Sequence, residues 1–551
     1  MPFGILEPKN VDGQVPGTAV LGDVSEATHA SHPKHAKEGD GKILLIPQPS
    51  NNPNDPLNWP LWQRDLIFVL LCYCTILCAG VIGPVISPAS FLLVKEFHIS
   101  FAQVSQLTGY QLCAIGGFGV VMSTFTRLYG KRPAFIVSIL LCLAGTIWCG
   151  VAKSFGSLVG ARVLQGVGVS VWESVMYSAT GDLYFVHQRG SRMAFFGVCA
   201  SGFGNLGPLI AGVVAEHKGW RWCFYILNIC IGIATIGILF FGWEMMYKRH
   251  GPRYEAHDLT KLSASSSSFL LLLGTNKVKF ESVHRETMIE DVSTLARSHY
   301  VKRLAFFSGR YTEESWLSLI VAPFTICIHP AVLWSIVTIS FATAWQVVIS
   351  FVLSQIFSAP PFLHSTAQIG YIYTGPVVGA LIGAIICGML SDRIAEICVR
   401  KNNGIYEPEF RLFLVVGMAF FMCLGFFLFG NFIEAGKSPV IAVVTWGLSP
   451  VGFQFCSTEM GTYMVDGYQE ISIEVFIIGG IFKNFLFFGF TFFINDWIAA
   501  WGPARMFNCI GGIQLGICAL TIPVYIYGKR CRYAYRHYSV AQDEKPCAPV
   551  K

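Results

Sequence analysis

The stretch Gly388-Met-Leu-Ser-Asp392-Arg393 closes one long apolar segment on a small residue, an acid and a base. A degraded copy stands 265 residues earlier, after the second apolar segment: Ser123-Thr-Phe-Thr-Arg127-Leu-Tyr-Gly130-Lys131-Arg132-Pro133. Ser123 takes the place of the glycine and Arg127 that of the acid, while Gly130, Lys131, Arg132 and Pro133 are kept. The same offset carries Leu66, where the first apolar run begins, onto Ala331, where the seventh begins. One register serving both landmarks predicts two halves of common design.

Composition names the solvent those halves live in. The chain is 53% hydrophobic, 14% aromatic and only 13% charged, with mean hydropathy +0.54. That is too apolar for a water-soluble chain of 551 residues. Runs of about 20 residues cross about 30 Å of hydrocarbon. About twelve such runs fall near 66–88, 104–125, 134–152, 157–180, 193–215, 222–243, 331–355, 369–390, 411–431, 440–462, 474–495 and 507–527. The expected fold is an all-α membrane protein whose spans form two pseudo-symmetric six-helix bundles, 66–243 and 331–527. A tail (1–65), a linker (244–330) and a second tail (528–551) complete the chain. The linker holds Ser263 to Ser268, many charges and one five-residue apolar run, Phe269 to Leu273, too short to span. It is read as a partly disordered cytoplasmic segment. A duplicated membrane chain of this kind is the mark of a secondary transporter, with its substrate path between two rocking bundles.

Lysine and arginine set the orientation. Eleven lie between Lys248 and Arg310, so the linker, both tails and the motif loops are expected inside. The net charge of +6 sits largely in loops and tails, without a basic stripe interleaved with aromatics, which argues against nucleic acid as a partner. The eighteen cysteines fall mostly in apolar runs and show neither zinc nor disulfide spacing. No metal site and no cofactor is expected. The absence of a GxxxxGK[ST] loop makes direct ATP drive improbable, and no nucleophile and base stand together as an intramembrane enzyme would need.

Within the spans, small residues come first. Ala200, Gly204, Gly207, Pro208, Ala211 and Ala215 share one face of the fifth span, suited to close approach by another helix. Gly375, Gly379 and Gly383 recur every four residues in the eighth, and are expected to pack on the other half. Asp392 then stands at the inner end of that helix, where it is placed to latch onto Arg393 or a helix N-terminus, or to be an ordinary solvated acid.

Charges inside the bilayer are costly, about 2.5–3.5 kcal/mol each at mid-helix, and so point to use. Arg162, Glu173 and Lys483 qualify best. Arg162 and Glu173 are eleven residues apart, which puts them on one helix face about 16 Å apart. A carboxylate in a poorly hydrated cavity is suited to carry a proton, and Glu173 is read either so or as half of a structural ion pair. Lys483, beside Asn484, either binds an anionic substrate or neutralises an acid; Glu459 is a weaker site candidate. Asn205, Trp345, Gln346 and Tyr371 are candidates for a broad substrate pocket.

These motifs together resemble the major facilitator superfamily, and within it the twelve-span drug:proton antiporter-like transporters common in fungi. The resemblance runs from about Asn52 to Arg532 and rests on Asn54-Asp-Pro-Leu-Asn-Trp59-Pro, the loop motif, Arg162-Val-Leu-Gln165-Gly166-Val-Gly168 and Gly207-Pro208-Leu-Ile-Ala-Gly212. It rests also on Asn402-Asn-Gly404-Ile-Tyr-Glu407-Pro-Glu409-Phe-Arg411 and Thr462-Tyr463-Met-Val-Asp466-Gly-Tyr468. It implies that Gly388, Asp392, Arg393, Gly130 and Arg132 belong to the gating loops, that Gly207, Pro208 and Gly212 form the antiporter motif sealing the halves in one state, and that Arg162 takes part in proton transfer, while the residue itself is equally suited to hydrogen-bond backbone carbonyls. The implied activity is proton-coupled efflux of a small amphipathic drug, toxin or secondary metabolite. Proton-coupled uptake of a nutrient or organic cation, and a transporter-like receptor, are the alternatives. The expected partners are a small-molecule substrate, protons and the lipid bilayer; the expected state is a monomer in the plasma membrane, with a vacuolar or other endomembrane as the second choice.

Overall fold

The computed structural model describes residues 4–8, 15, 18–20, 50, 52–185, 188, 192, 195–247, 303–307, 309–312, 314–402, 404–468 and 472–543; the side chains of 19, 20, 177, 200, 201, 328, 392, 472, 473 and 536–543 are not among those described. Among the described residues, ten helices are long and apolar enough to cross a membrane. They are α1 (Leu61–Phe97), α2 (Phe101–Tyr129), α3 (Lys131–Val151), α6 (Trp220–Phe241), α7 (Pro330–Ser358), α8 (Thr366–Lys401), α9 (Pro408–Glu434), α10 (Pro439–Gly467), α11 (Glu474–Thr491) and α12 (Ile494–Tyr535). The other two expected spans are also helical but fall short of that measure. α4 (Phe155–Ser174) carries Arg162, Gln165, Ser170 and Glu173, which lower its hydropathy. α5 (Leu206–Lys218) has 13 residues and is preceded by a π-helical turn, Val198–Gly202, and a 3-10 turn, Phe203–Asn205.

Local chemistry fixes where the helices begin. Ser100 caps α2 and exchanges hydrogen bonds with Gln103, while Ser365 and Gln368 do the same for α8. Each pair satisfies orphan backbone donors at the helix start, and the two pairs are 265 residues apart, the offset of the loop motifs. Gly130 breaks the chain between α2 and α3 at φ 98, a conformation costly for any residue with a Cβ.

Buried apolar side chains form two large cores. One gathers residues of α1 to α6, from Trp59 to Met245; the other gathers α7 to α12, from Ile326 to Cys518, with Val120 of α2 reaching into it. The two halves are therefore separate hydrophobic units. Glycines decide what packs where. Gly375, Gly379 and Gly383 press on Val443, Gly447 and Val451 of α10, so this stripe packs within its own half and not against the other half, as the sequence reading expected. A Cβ at Gly379 would strike the Gly447 carbonyl oxygen.

The halves meet at several places, two of which show how. Along α2, Ser105 accepts a hydrogen bond from Asn495 at the start of α12 at 2.7 Å, while Gly109 lies against Thr491 and Gly116 against Asn484 of α11. Between α5 and α8, Gly212 meets the backbone of Gly370, and the Glu216 carboxylate accepts the Ala367 N–H at 2.7 Å.

The 244–330 segment contains a helix that the sequence reading passed over. Trp316–Thr325 runs alongside α2 and α11, with Leu319 and Pro323 buried and Leu317 74% exposed. It is apolar on its outer side as well, where Val321 and Phe324 are exposed, and the Tyr311 N–H donates to the Leu128 carbonyl at 2.8 Å ahead of it. A described piece of the amino-terminal tail, β1 (Ala19–Val20), pairs antiparallel with β2 (Ile405–Tyr406) in the loop between α8 and α9.

Candidate functional site

Among the described residues, two ion pairs tie α11 to the amino-terminal half. At the motif-loop end, Arg127 of α2 pairs with Glu474, in the first turn of α11, at 2.6 Å. Nine residues further along α11, about 13 Å deeper, Lys483 pairs with Glu173 of α4 at 2.9 Å, and Asn484 donates to the same carboxylate at 3.1 Å. Both pairs are part-buried, with side-chain exposures between 18% and 27%. Three of the sequence-predicted residues, Glu173, Lys483 and Asn484, thus meet in one cluster contributed by opposite halves.

Arg162 is elsewhere. It is fully buried inside the amino-terminal half, where Nη1 donates to the Ile82 carbonyl at 2.7 Å and to Gln111 at 3.0 Å. Gln165 adds a longer bond at 3.3 Å and ties in turn to Thr146. The carbonyl of Ile82 is available because α1 leaves ideal geometry there, between a π-helical turn and the 3-10 turn Pro84–Ala89. The Phe224 ring covers the guanidinium at 5.3 Å, a favourable cation–π contact. Among the described residues no carboxylate pairs with Arg162.

The remaining candidates separate. Gln346 exchanges hydrogen bonds with Ser449 of α10 at 2.7 and 3.0 Å. Trp345 is buried on Phe341 and Phe490. Asn205 is part-buried at the turn that opens α5, whereas Tyr371 is 53% exposed and does not converge with them. Glu459 is fully buried inside the carboxyl-terminal half.

The motif loops differ in construction. Gly388 has open space around it, Arg393 is exposed, and the side chain of Asp392 lies outside the described residues. In the first loop the Glu244 carboxylate, from the segment after α6, accepts the backbone N–H groups of Lys131 and Arg132 at 3.0 and 3.1 Å. It accepts those of Met245 and Met246 as well. An acid at a helix start satisfies orphan donors and meets the positive end of the helix dipole. Burial pushes the Glu244 carboxyl above the ordinary carboxylate range, and these N–H bonds pull it part of the way back. Arg132 donates to the carbonyls of Gly242 and Leu239, and Lys131 pairs with Asp182 at 2.7 Å. Gly207 packs on Val81 of its own half, while Gly212 faces Gly370 of the other.

Glu474 and Glu244 are partners of the first motif loop that sequence reasoning missed. An acid in the first turn of a helix was a readable signal for Glu474; nothing in the sequence links Glu244 to a helix start 113 residues away.

Comparison with known proteins agrees with this architecture. The sequence profile described as Major Facilitator Superfamily matches residues 69–472. Protein HOL1 of Saccharomyces cerevisiae is 27% identical, over 90% of this chain and 91% of its own length. An uncharacterized MFS-type transporter of Schizosaccharomyces pombe is 25% identical, over 96% and 94%. The efflux pump vrtL of Penicillium aethiopicum is 23% identical, over 88% of each. A profile match across most of the chain, on two helical cores joined along α2 and α11, makes this protein a member of the Major Facilitator Superfamily, a multi-pass membrane transporter.

Proposed function

We propose that the protein is a proton-coupled exporter of a small amphipathic organic compound, with Glu173 as the proton-coupling acid. The observation that carries the reading is the Glu173–Lys483 pair, which joins α4 of one half to α11 of the other. Separating the halves on that side means separating the two charges inside the membrane, which is costly while Glu173 is ionised. Protonation turns the carboxylate into a neutral acid and removes the ionic tie, so a proton arriving at Glu173 frees α11 from α4. A cationic or hydrogen-bonding substrate that competes for the same carboxylate favours proton release, which is the linkage antiport requires. Arg162, held by Ile82, Gln111 and Gln165, keeps the distorted part of α1 against α4 and so supports this site from within the amino-terminal half. The name of the Penicillium relative supports the outward direction.

The test is solute flux in proteoliposomes under an imposed pH gradient, with a panel of amphipathic drugs and organic cations. Wild type is expected to move solute against the proton gradient, and Glu173→Gln to equilibrate solute without accumulating it. Unchanged gradient dependence in Glu173→Gln removes that residue from the mechanism. Flux in the proton direction means uptake, and no flux across a broad panel favours a receptor.

A further inference from the structure

One face of α8 passes from apolar to charged without a break at its motif-loop end. Ile382, Ile386 and Met389 are exposed, as side chains are where a spanning helix meets hydrocarbon. At 100° per residue Arg393 and Arg400 continue that face, each within about 20° of the Ile382 direction. Both are exposed. Arg393 falls about 6 Å beyond Met389 along the axis, and Arg400 about 16 Å beyond it. The apolar stripe therefore ends in two guanidinium groups, the first at the depth where hydrocarbon gives way to headgroups.

Beside Arg400 an open cavity of about 470 Å³ lies between the end of α8 and the start of α9, walled by Ala395, Val399, Tyr406 and Arg411. Gly404 completes the wall and turns the chain at φ 80, a conformation that suits glycine. Arg411 closes the back, donating to Ser391 at 2.8 Å and to the Tyr406 hydroxyl at 3.2 Å, with Asp466 3.8 Å away. Arg400 pairs with Glu396, the other charged residue of the wall, but the two side chains are 77% and 59% exposed. An exposed pair of this kind contributes little, so a phosphate that reaches the cavity exchanges a weak internal partner for a bidentate guanidinium contact. A soluble anion has no use for the apolar stripe that leads to this cavity. A phospholipid uses both.

We propose that the motif-loop end of α8 binds an anionic phospholipid with a phosphorylated headgroup. Its acyl chains lie along Ile382, Ile386 and Met389, its phosphodiester meets Arg393, and the further headgroup phosphate enters the cavity at Arg400. The two arginines are seven residues and about 10 Å apart on one face, which suits a headgroup carrying two anionic groups better than one. This site stands apart from the Glu173 pair and does not depend on which solute the protein carries or on proton coupling.

Native mass spectrometry of the full-length protein tests it by counting the lipids retained from mixed micelles of phosphatidylinositol monophosphate and phosphatidylcholine. Wild type is expected to retain the phosphorylated lipid in preference. Arg393→Gln and Arg400→Gln should each lower that preference about fivefold, and the double variant about thirtyfold. Arg310→Gln, at an exposed arginine ahead of α7, should leave it within about twofold. Glu396→Gln removes the competing acid and should raise the preference; it decides the matter should the arginine variants fail to fold. An unchanged preference in the double variant overturns the site, and so does an equal loss in Arg310→Gln, which would mean general attraction to basic charge. Displacement of the lipid by soluble inositol bisphosphate at equal concentration overturns the lipid assignment, because the cavity then takes the headgroup without the apolar stripe.

Discussion

The two motif loops occupy equivalent places in the two halves and differ in what they add to their own anchorage. The loop between α2 and α3 is capped within its own half by Glu244 and also reaches across, where Arg127 pairs with Glu474, both part-exposed. The loop between α8 and α9 is secured inside its own half. Arg532 of α12 is fully buried and binds Glu407 at 2.9 Å and Glu409 at 2.6 Å, Lys529 adds a bond to Glu407 at 2.7 Å, and the tail strand pairs with β2. The family pattern puts an acid in the first loop; here the loop carries the base and α11 carries the acid. A latch between halves needs opposite charges on the two sides, and the exchange leaves that requirement met. The lesson is that both loops are anchored within their own halves, and that the first carries in addition an ion pair to the other half.

The strongest way to break this contrast is to remove the anchor. Arg532→Met leaves Glu407 and Glu409 buried without their guanidinium, and losing one partner of a buried pair costs about 3–5 kcal/mol. A large fall in the melting temperature of the purified protein is expected, well beyond that of Arg127→Met. Equal shifts for the two variants would put the anchor and the latch on the same footing.

Next in size is a pair of glycine substitutions. Gly130 sits at φ 98, and a Cβ there would meet the Glu244 carboxylate, so Gly130→Ala is expected to cost about 2 kcal/mol. Gly388 is helical with open space around it, so Gly388→Ala is expected to be neutral or to stabilise by about 0.5 kcal/mol. Thermal unfolding of both variants checks this, and a costly Gly388→Ala would show that the motif glycine serves another conformation.

The latch itself supports a double-mutant cycle. Arg127→Glu places two acids together and is expected to cost about 1 kcal/mol, since the pair is part-exposed. Adding Glu474→Arg restores the attraction in reversed polarity and should recover most of the loss, read from both melting temperature and flux. If the double variant is no better than Arg127→Glu alone, then the pair does not act as a latch.

Much of this architecture was legible in the sequence, and the limits were physical. Spans were readable because the bilayer demands long apolar runs, and the duplication because one offset aligned Ser123 with Gly388. The same offset aligned Ser100 and Gln103 with Ser365 and Gln368, a signal available but unread. The Glu173 and Lys483 positions stood out by their cost in hydrocarbon, but not their pairing, since helix periodicity gives a face and not a neighbour. For the same reason the glycine stripe of α8 was legible as a stripe while its partner, α10, was not. The Trp316–Thr325 helix was hidden by the charged segment ahead of it, although its own residues are apolar. Arg127 and Glu474 are 347 residues apart, and only the folded chain brings them together.

The smallest effect concerns the tail, the part of the anchor nearest water. The Thr18 hydroxyl donates to the Glu407 carboxylate at 2.7 Å, the Leu6 N–H donates to the Ile526 carbonyl at 3.0 Å, and Ile5 is buried beside Cys398, Val399 and Phe410. Burial alone would raise the Glu407 carboxyl, but the bonds from Lys529 and Thr18 and the charge of Arg532 outweigh it and hold the group below the ordinary range. An acid whose folded value is depressed contributes stability above its unfolded value, about 4.3 for Glu, and loses it as pH falls through the folded value. Tail docking is therefore expected to be intact at neutral pH and to weaken in acid below about pH 4. Thr18→Val removes one hydrogen bond, worth about 1 kcal/mol, and should raise amide exchange at Leu6 and Val20 without changing exchange along α2. Equal exchange in wild type and variant at neutral pH, or tail release on raising the pH, would place the hold of the tail in Ile5 and the strand pairing and not in the Glu407 cluster.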